Sequence, residues 1–186
     1  MRRSATCAGG LGGLALALAM LWPTAAAAQA ANPFAAFFGE WTLKEDRFQQ
    51  VWDGRTVETL TIPNHHTRCE PVNTAKSVMC VVSAGDLKGH IFWALNDGTK
   101  QVHHLSHFGD RRLGEGTGEL TAGGGLRLKL RFADEPAGTY RVYEYSWVGP
   151  DEYDMISRQY RSDGTPTGNW YGGRFVRLAA PSAPAR

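Results

Sequence analysis

The sequence predicts an all-β fold, an antiparallel meander of about ten strands that closes into a barrel. Three observations predict it. Between residues 39 and 178 no helix-length stretch repeats its apolar residues with the 3.6 period. Turn-forming Gly, Pro, Asn and Asp pairs recur at nearly even intervals. Leu126, Leu128, Leu130 and Phe132 alternate with Arg127, Lys129 and Arg131, as a strand with one wet face requires.

The chain opens with Met1-Arg2-Arg3, runs small and apolar from about Ala8 to Trp22, and reaches Ala25-Ala26-Ala27-Ala28-Gln29-Ala30. A basic start, a short apolar run and an A-x-A site are the parts of a secretory signal peptide, so residues 1–30 read as a cleaved leader. The alternative, an uncleaved membrane anchor, is disfavoured because the run is short and rich in Gly and Ala. Cys7 precedes the apolar run, whereas a lipidated cysteine would follow it, and the residues around Arg2-Arg3 do not support twin-arginine export. Removing 30 residues from 186 leaves 156, enough for one domain with a real core. Both leader charges are arginines, so the 20 basic residues fall to 18 against 18 acidic ones. A neutral mature chain argues against nucleic-acid binding and against a polybasic membrane surface. The expected compartment is periplasmic or secreted.

The candidate strands follow in order. Residues 31–38 hold at most one helical turn. Strands are expected at 39–52, 55–62, 65–71, 77–84, 89–96, 101–108, 112–121, 126–133, 139–148, 152–161 and 170–178. The second and third are split only by Pro63 and count as one or two, which sets the total at about ten. Asp53-Gly54 reads as a two-residue hairpin turn. Further turns are read at Asn96-Asp97-Gly98, Gly109-Asp110, Gly123-Gly124-Gly125, Glu135-Pro136-Ala137-Gly138, Gly149-Pro150-Asp151 and Asp163-Gly164. Consecutive strands with no crossover helix form a meander, and closure removes its exposed edges. Leucines inside and charges in water is the simple solution; an outer-membrane barrel would reverse it, but the loops are short at both ends and no terminal aromatic strand appears. Residues 31–178 form the expected domain, and 179–186, with two prolines, a disordered tail.

Without Cys7, two cysteines remain. Cys69 and Cys80 in an exported chain form a disulfide most simply, and the short loop implies about 3 kcal/mol of stabilisation. The spacing is not C-x-x-C, which disfavours a redox or metal pair.

The first strand opens Gly39-Glu40-Trp41. A G-x-W there, followed by an antiparallel meander, resembles the lipocalin (calycin) superfamily of up-and-down barrels over residues 39–178. The resemblance implies that Trp41 plugs one end of the barrel and that an arginine near the last strand, Arg174 or Arg177, packs over it as a cation–π pair. The chain is also similar to uncharacterised bacterial lipocalin-like domains near the nitrobindin-type barrels, which bind haem through a C-terminal histidine after a G-x-W-x-G-x-G start. This sequence departs on both counts. Leu43 stands where the next glycine would be, and no histidine follows His107.

Candidate sites come from strand faces. On 139–148, Arg141, Tyr143, Tyr145 and Trp147 share one face; turned inward, they would line a cavity for a small apolar or amphipathic ligand with an acidic head group. Met155, Ser157 and Gln159, or Ile156, Arg158 and Tyr160, would extend that wall. His103, His104 and His107 are the densest histidine cluster. His103 and His107 share a face but lie about 13 Å apart along a strand, too far to share one metal directly. Haem or zinc there is the alternative to a ligand barrel, and no cofactor is otherwise expected. Gly114, Gly116 and Gly118 leave a side-chain-free strip, either a ligand entry or a close approach at a barrel corner. Asp134, Glu135, Asp151, Glu152 and Asp154 read as surface charges. No G-x-S-x-G occurs, and Ser106 between His104 and His107 does not by spacing make a triad. An envelope protein-interaction module displaying Trp and Tyr is the third reading, and an enzyme is the least supported.

Overall fold

The computed structural model describes residues 32–72 and 76–179, so the expected leader and all of the expected tail but Ala179 lie outside the described residues. A 3₁₀ turn, Ala35–Phe37, precedes eleven strands: β1 (Gly39–Val51), β2 (Glu58–Thr61), β3 (His66–Pro71), β4 (Ser77–Ala84), β5 (Leu87–Asn96), β6 (Gln101–Phe108), β7 (Arg112–Leu120), β8 (Leu126–Phe132), β9 (Thr139–Gly149), β10 (Glu152–Arg161) and β11 (Pro166–Arg177). From β3 to β11 each strand pairs antiparallel with the next, and β11 returns to β1, closing a ten-strand barrel with β2 as an extra strand.

β2 and β3 lie end to end along the same edge of β1. Both keep one register: six residues separate the pairs Arg47–Thr61 and Trp41–Thr67 on either strand. Pro63 interrupts this edge because it has no N–H to give. The chain is re-fastened on either side of it, where Ile62 N–H donates to Asp46 O at 2.8 Å and the Thr42 hydroxyl donates to His65 O at 2.6 Å. Opposite the break β1 bulges. Against β11 it advances five residues, Leu43 to Phe48, while its partner moves two, and Glu45 and Asp46 take φ of 56° and 54°.

One turn reading needs correction. Asp53-Gly54 is not a two-residue hairpin, because β1 ends at Val51 and β2 starts at Glu58. The Asp53 carboxylate gathers the Arg55 and Thr56 N–H groups and the Thr56 hydroxyl into a wider loop, an Asx turn that outcompetes strand pairing. Trp170–Gly173 is regular strand within β11, which starts earlier than expected, at Pro166. The irregularity falls earlier, between Pro166 and Trp170, where Gly168 takes φ +86°.

The alternation sets the inside. Leu126, Leu128 and Leu130 are fully buried, and the intervening Arg127, Lys129 and Arg131 are exposed, the reverse of a lipid-facing barrel. Among the described residues no helix is long and apolar enough to cross a membrane. The glycine strip of β7 faces Phe132, Leu130 and Leu128 of β8. A side chain on Gly118 would run into the Arg127 carbonyl and the Leu128 Cα, and one on Gly114 into the Phe132 ring. The strip is therefore the close-packed corner rather than an opening. Cys69 and Cys80 sit directly opposite on β3 and β4 and are bonded.

One end of the barrel is shut. Phe34 and Phe37 of the N-terminal turn are buried, and the Trp41 indole donates to the Phe37 carbonyl at 2.8 Å. The Arg177 guanidinium stands 4.2 Å over the Trp41 ring, bonds the Phe38 and Ala36 carbonyls and pairs with Asp151. Arg174 instead sits on the outer face, held by Asp154 and Glu152.

Candidate functional site

Above this plug the barrel is hollow. A cavity of about 470 Å³ runs from Phe37 towards the opposite end, within the size range of small-molecule sites. Its wall is mostly apolar, with Leu43, Ile91, Tyr145, Met155 and Phe175 among the lining side chains. A few polar groups are set into it, and each comes from the inward period of a strand.

The inward face of β9 is Arg141, Tyr143 and Tyr145, all buried. Tyr143 and Tyr145 line the cavity, and burial raises both phenols well above their ordinary pKa, so they stay protonated. Trp147 belongs to the plug, packed on Phe37 and Trp41, with its indole N–H donated to Gly124 O at 3.1 Å. Arg141 is 0% exposed and lies behind the lining residues Trp52 and Tyr171, whose rings are 4.9 and 4.5 Å from its guanidinium carbon. Of the β10 residues expected to extend that wall only Met155 lines the cavity; Ser157 and Gln159 share its face but are buried against Arg141 and Glu135, and the alternates Ile156, Arg158 and Tyr160 do not join it.

The polar mouth is built on a carboxylate read from sequence as a surface charge. Glu135, whose side chain is 7% exposed, accepts from Arg141 Nε at 2.5 Å, Arg112 Nη2 at 2.9 Å and Gln159 Nε2 at 3.0 Å. Burial pushes its pKa up, but hydrogen bonds from Arg141 and Arg112 outweigh that and hold it below the ordinary carboxylate value. Arg112 lines the cavity, lies 3.9 Å over the Phe132 ring, pairs with Asp134 and donates to the Tyr171 hydroxyl at 2.9 Å; that hydroxyl also bonds Tyr143. Two arginines against two carboxylates leave the cluster neutral. One atom in it is unmatched: Arg141 Nη2 is buried with no hydrogen-bond partner.

The β1–β2 loop covers this mouth. Gly54 and Gly168 touch backbone to backbone, so closely that a Cβ on Gly168 would sit 2.8 Å from the Gly54 Cα. This contact seats Trp52, half exposed, over Tyr171 and Arg141.

Strand alternation splits the histidine cluster. His103 and His107 are exposed on the outer face, and His104 is buried on the cavity wall. Trp93 Nε1–H donates to His104 Nδ1 at 2.8 Å, and His104 Nε2 is 2.9 Å from Ser106 Oγ. Both ring nitrogens are thus engaged within the protein. Burial lowers the His104 pKa to about 4, so the ring is neutral. His65 also lines the cavity, is lowered to about 4 by burial first and His66 second, and keeps its Nδ1 buried and unpartnered. Among the described residues no three His, Cys, Asp or Glu side chains converge as a metal site needs.

Against solved structures, the chain is similar to the S-type phycobiliprotein lyase of Guillardia theta, at 13% identity over 79% of this chain and 91% of that one, with a TM-score of 0.51. The likeness establishes the barrel fold. A Nostoc punctiforme protein of unknown function from the DUF3598 family also matches, at 10% identity over 79% of this chain and 98% of that one, but a TM-score of 0.22 gives it no weight. No family model matches the sequence, and no curated protein does.

Arg112, Glu135, Tyr171 and Ser106 escaped the sequence reading as site residues. For Tyr171, Ser106 and Arg112 the signal existed in strand alternation, but the phase of β6, β7 and β11 is fixed only by their neighbours.

Proposed function

We propose that this is an exported binding barrel that holds a small apolar or amphipathic molecule. The observation that carries the reading is the cavity of about 470 Å³, closed at one end by Phe37 and Trp41 and walled mainly by apolar side chains. A hollow of this size costs stability that a protein without a guest could recover by packing. The ligand's apolar body lies against Leu43, Ile91 and Phe175, and its head group meets Arg112 at the mouth. Export is supported by the leader-like N-terminus and by the Cys69–Cys80 disulfide, a bond of oxidising compartments. The neighbour of similar fold is a lyase by name, so the barrel alone does not choose between binding and catalysis. The residues favour binding: with Trp93 donating to Nδ1, the His104 proton sits on Nε2, so His104 cannot take the Ser106 proton as a nucleophile's base must.

Native mass spectrometry of gently purified protein should show a bound species, and 1-anilinonaphthalene-8-sulfonate should bind saturably at one site. Protein that emerges empty and leaves the dye dark in water overturns the reading.

A further inference from the structure

Ser106 is 2% exposed to solvent yet lines the cavity, on the strand face between Val102 and His104 below and Phe108 above. Its hydroxyl is the last member of a chain that begins at Trp93. An indole nitrogen can only donate, so His104 Nδ1 must accept. A neutral imidazole then carries its proton on Nε2 and donates it to Ser106 Oγ. The low pKa of His104 keeps the ring neutral at physiological pH, so no second proton enters the chain. Ser106 receives one hydrogen bond and still has its own proton to give. Gly114 faces it across the strand pair and leaves the hydroxyl room, since a Cβ there would lie 2.7 Å from Ser106 Oγ.

We propose that Trp93, His104 and Ser106 form a directed chain that leaves the Ser106 proton free to be donated into the cavity, and that the ligand carries a carbonyl or ether oxygen opposite it. The inference rests on the binding reading above and narrows it. The guest is an apolar body with an acceptor oxygen part-way along, rather than a plain hydrocarbon tail. On β7, Gly114 opposite Ser106 is two residues from Arg112, so the oxygen is about 7 Å along the strand from the Arg112 backbone. Trp93 and His104 act as positioning residues, setting which way the hydrogen bonds point.

The test uses displacement of 1-anilinonaphthalene-8-sulfonate by hexadecanoic acid and by a series of oxohexadecanoic acids with the ketone at successive positions. One or two neighbouring positions should bind about fivefold more tightly than the parent acid, the worth of one net hydrogen bond. Ser106→Ala should lose the preference, read as the ratio of each oxo acid's Kd to the parent acid's in the same variant. Ser106→Thr, which keeps the hydroxyl, should retain it. Trp93→Phe removes the indole donor, frees His104 to accept from Ser106, and should shrink the same ratio below twofold. If the acids bind but no ketone position is favoured, or the preference survives in Ser106→Ala or undiminished in Trp93→Phe, the directed chain is overturned while the barrel's binding role stands. If neither dye nor any acid binds, it is the binding role that fails.

Discussion

At the scale of single residues, the polar groups inside the barrel are where stability and pH meet. Burial holds His65 and His104 at a pKa of about 4 against 6.5 for an exposed imidazole. Between those values the unfolded chain binds protons that the folded one does not. Stability is therefore complete above about pH 6.5 and is lost as pH falls through about 4, each histidine contributing at most about 3 kcal/mol. Urea midpoints should fall from pH 7 to pH 4.5, and His65→Phe or His104→Gln should flatten that slope; a midpoint that ignores pH over this range counts against buried neutral imidazoles. The Arg141–Glu135 pair makes a second case. Glu135→Gln leaves a fully buried guanidinium uncompensated and should cost about 3–5 kcal/mol in urea unfolding. Arg141→Met should cost less, because Glu135 keeps Arg112 and Gln159 as donors. An equal loss from both would mean that Arg112 and Gln159 do not compensate Glu135 for the loss of Arg141. That Arg141, Tyr143 and Tyr145 share one face of β9 was legible from alternation; that this face turns inward is set by the closed sheet. The partner of Arg141 was not legible, because Glu135 follows Phe132 in a turn, and only the curvature of the closed sheet folds that turn over the mouth.

At the scale of elements, short-range signals were reliable where one side chain or one turn decides. The leucine alternation of β8 fixed its own facing, and Cys69 and Cys80 could pair because their strands are neighbours. Asp53-Gly54 misled because a carboxylate that gathers three donors builds a loop, not a hairpin, and sequence spacing cannot tell the two apart. The glycine strip was ambiguous for a similar reason: a missing side chain looks the same whether a ligand or another strand fills the space. Its resolution gives a prediction. Gly118→Val should destabilise the protein by at least the 1–3 kcal/mol typical of overpacking, since its Cβ meets the β8 backbone. Gly149→Ala, with open space around the Cβ, should be nearly neutral, and thermal unfolding of the two variants makes the comparison. Replacing both disulfide cysteines by serine should cost about 3 kcal/mol without disturbing the dye site's stoichiometry, because the crosslink acts chiefly on the unfolded chain.

At the scale of the whole molecule, the question is whether the interior is hollow by design or merely loosely packed. Closure into a barrel could be argued from the meander, but the void could not, since it depends on the register of all ten strands at once. Val82 offers a direct probe. It lies on the cavity wall, 7% exposed, on β4, which the disulfide ties to β3. In a barrel filled by its own side chains, Val82→Phe would overpack and lose 1–3 kcal/mol. In this hollow the larger ring enters free space and buries more apolar surface, so the unfolding midpoint should hold or rise. The same ring occupies the ligand's place, so the dye signal should fall by at least half. Wild-type protein should gain about 2.7 kcal/mol when the dye is present at a hundred times its Kd, through linkage to the folded state, and the Val82→Phe variant should gain much less. Stability and binding then move in opposite directions in one substitution, which an interior already packed to native density cannot produce.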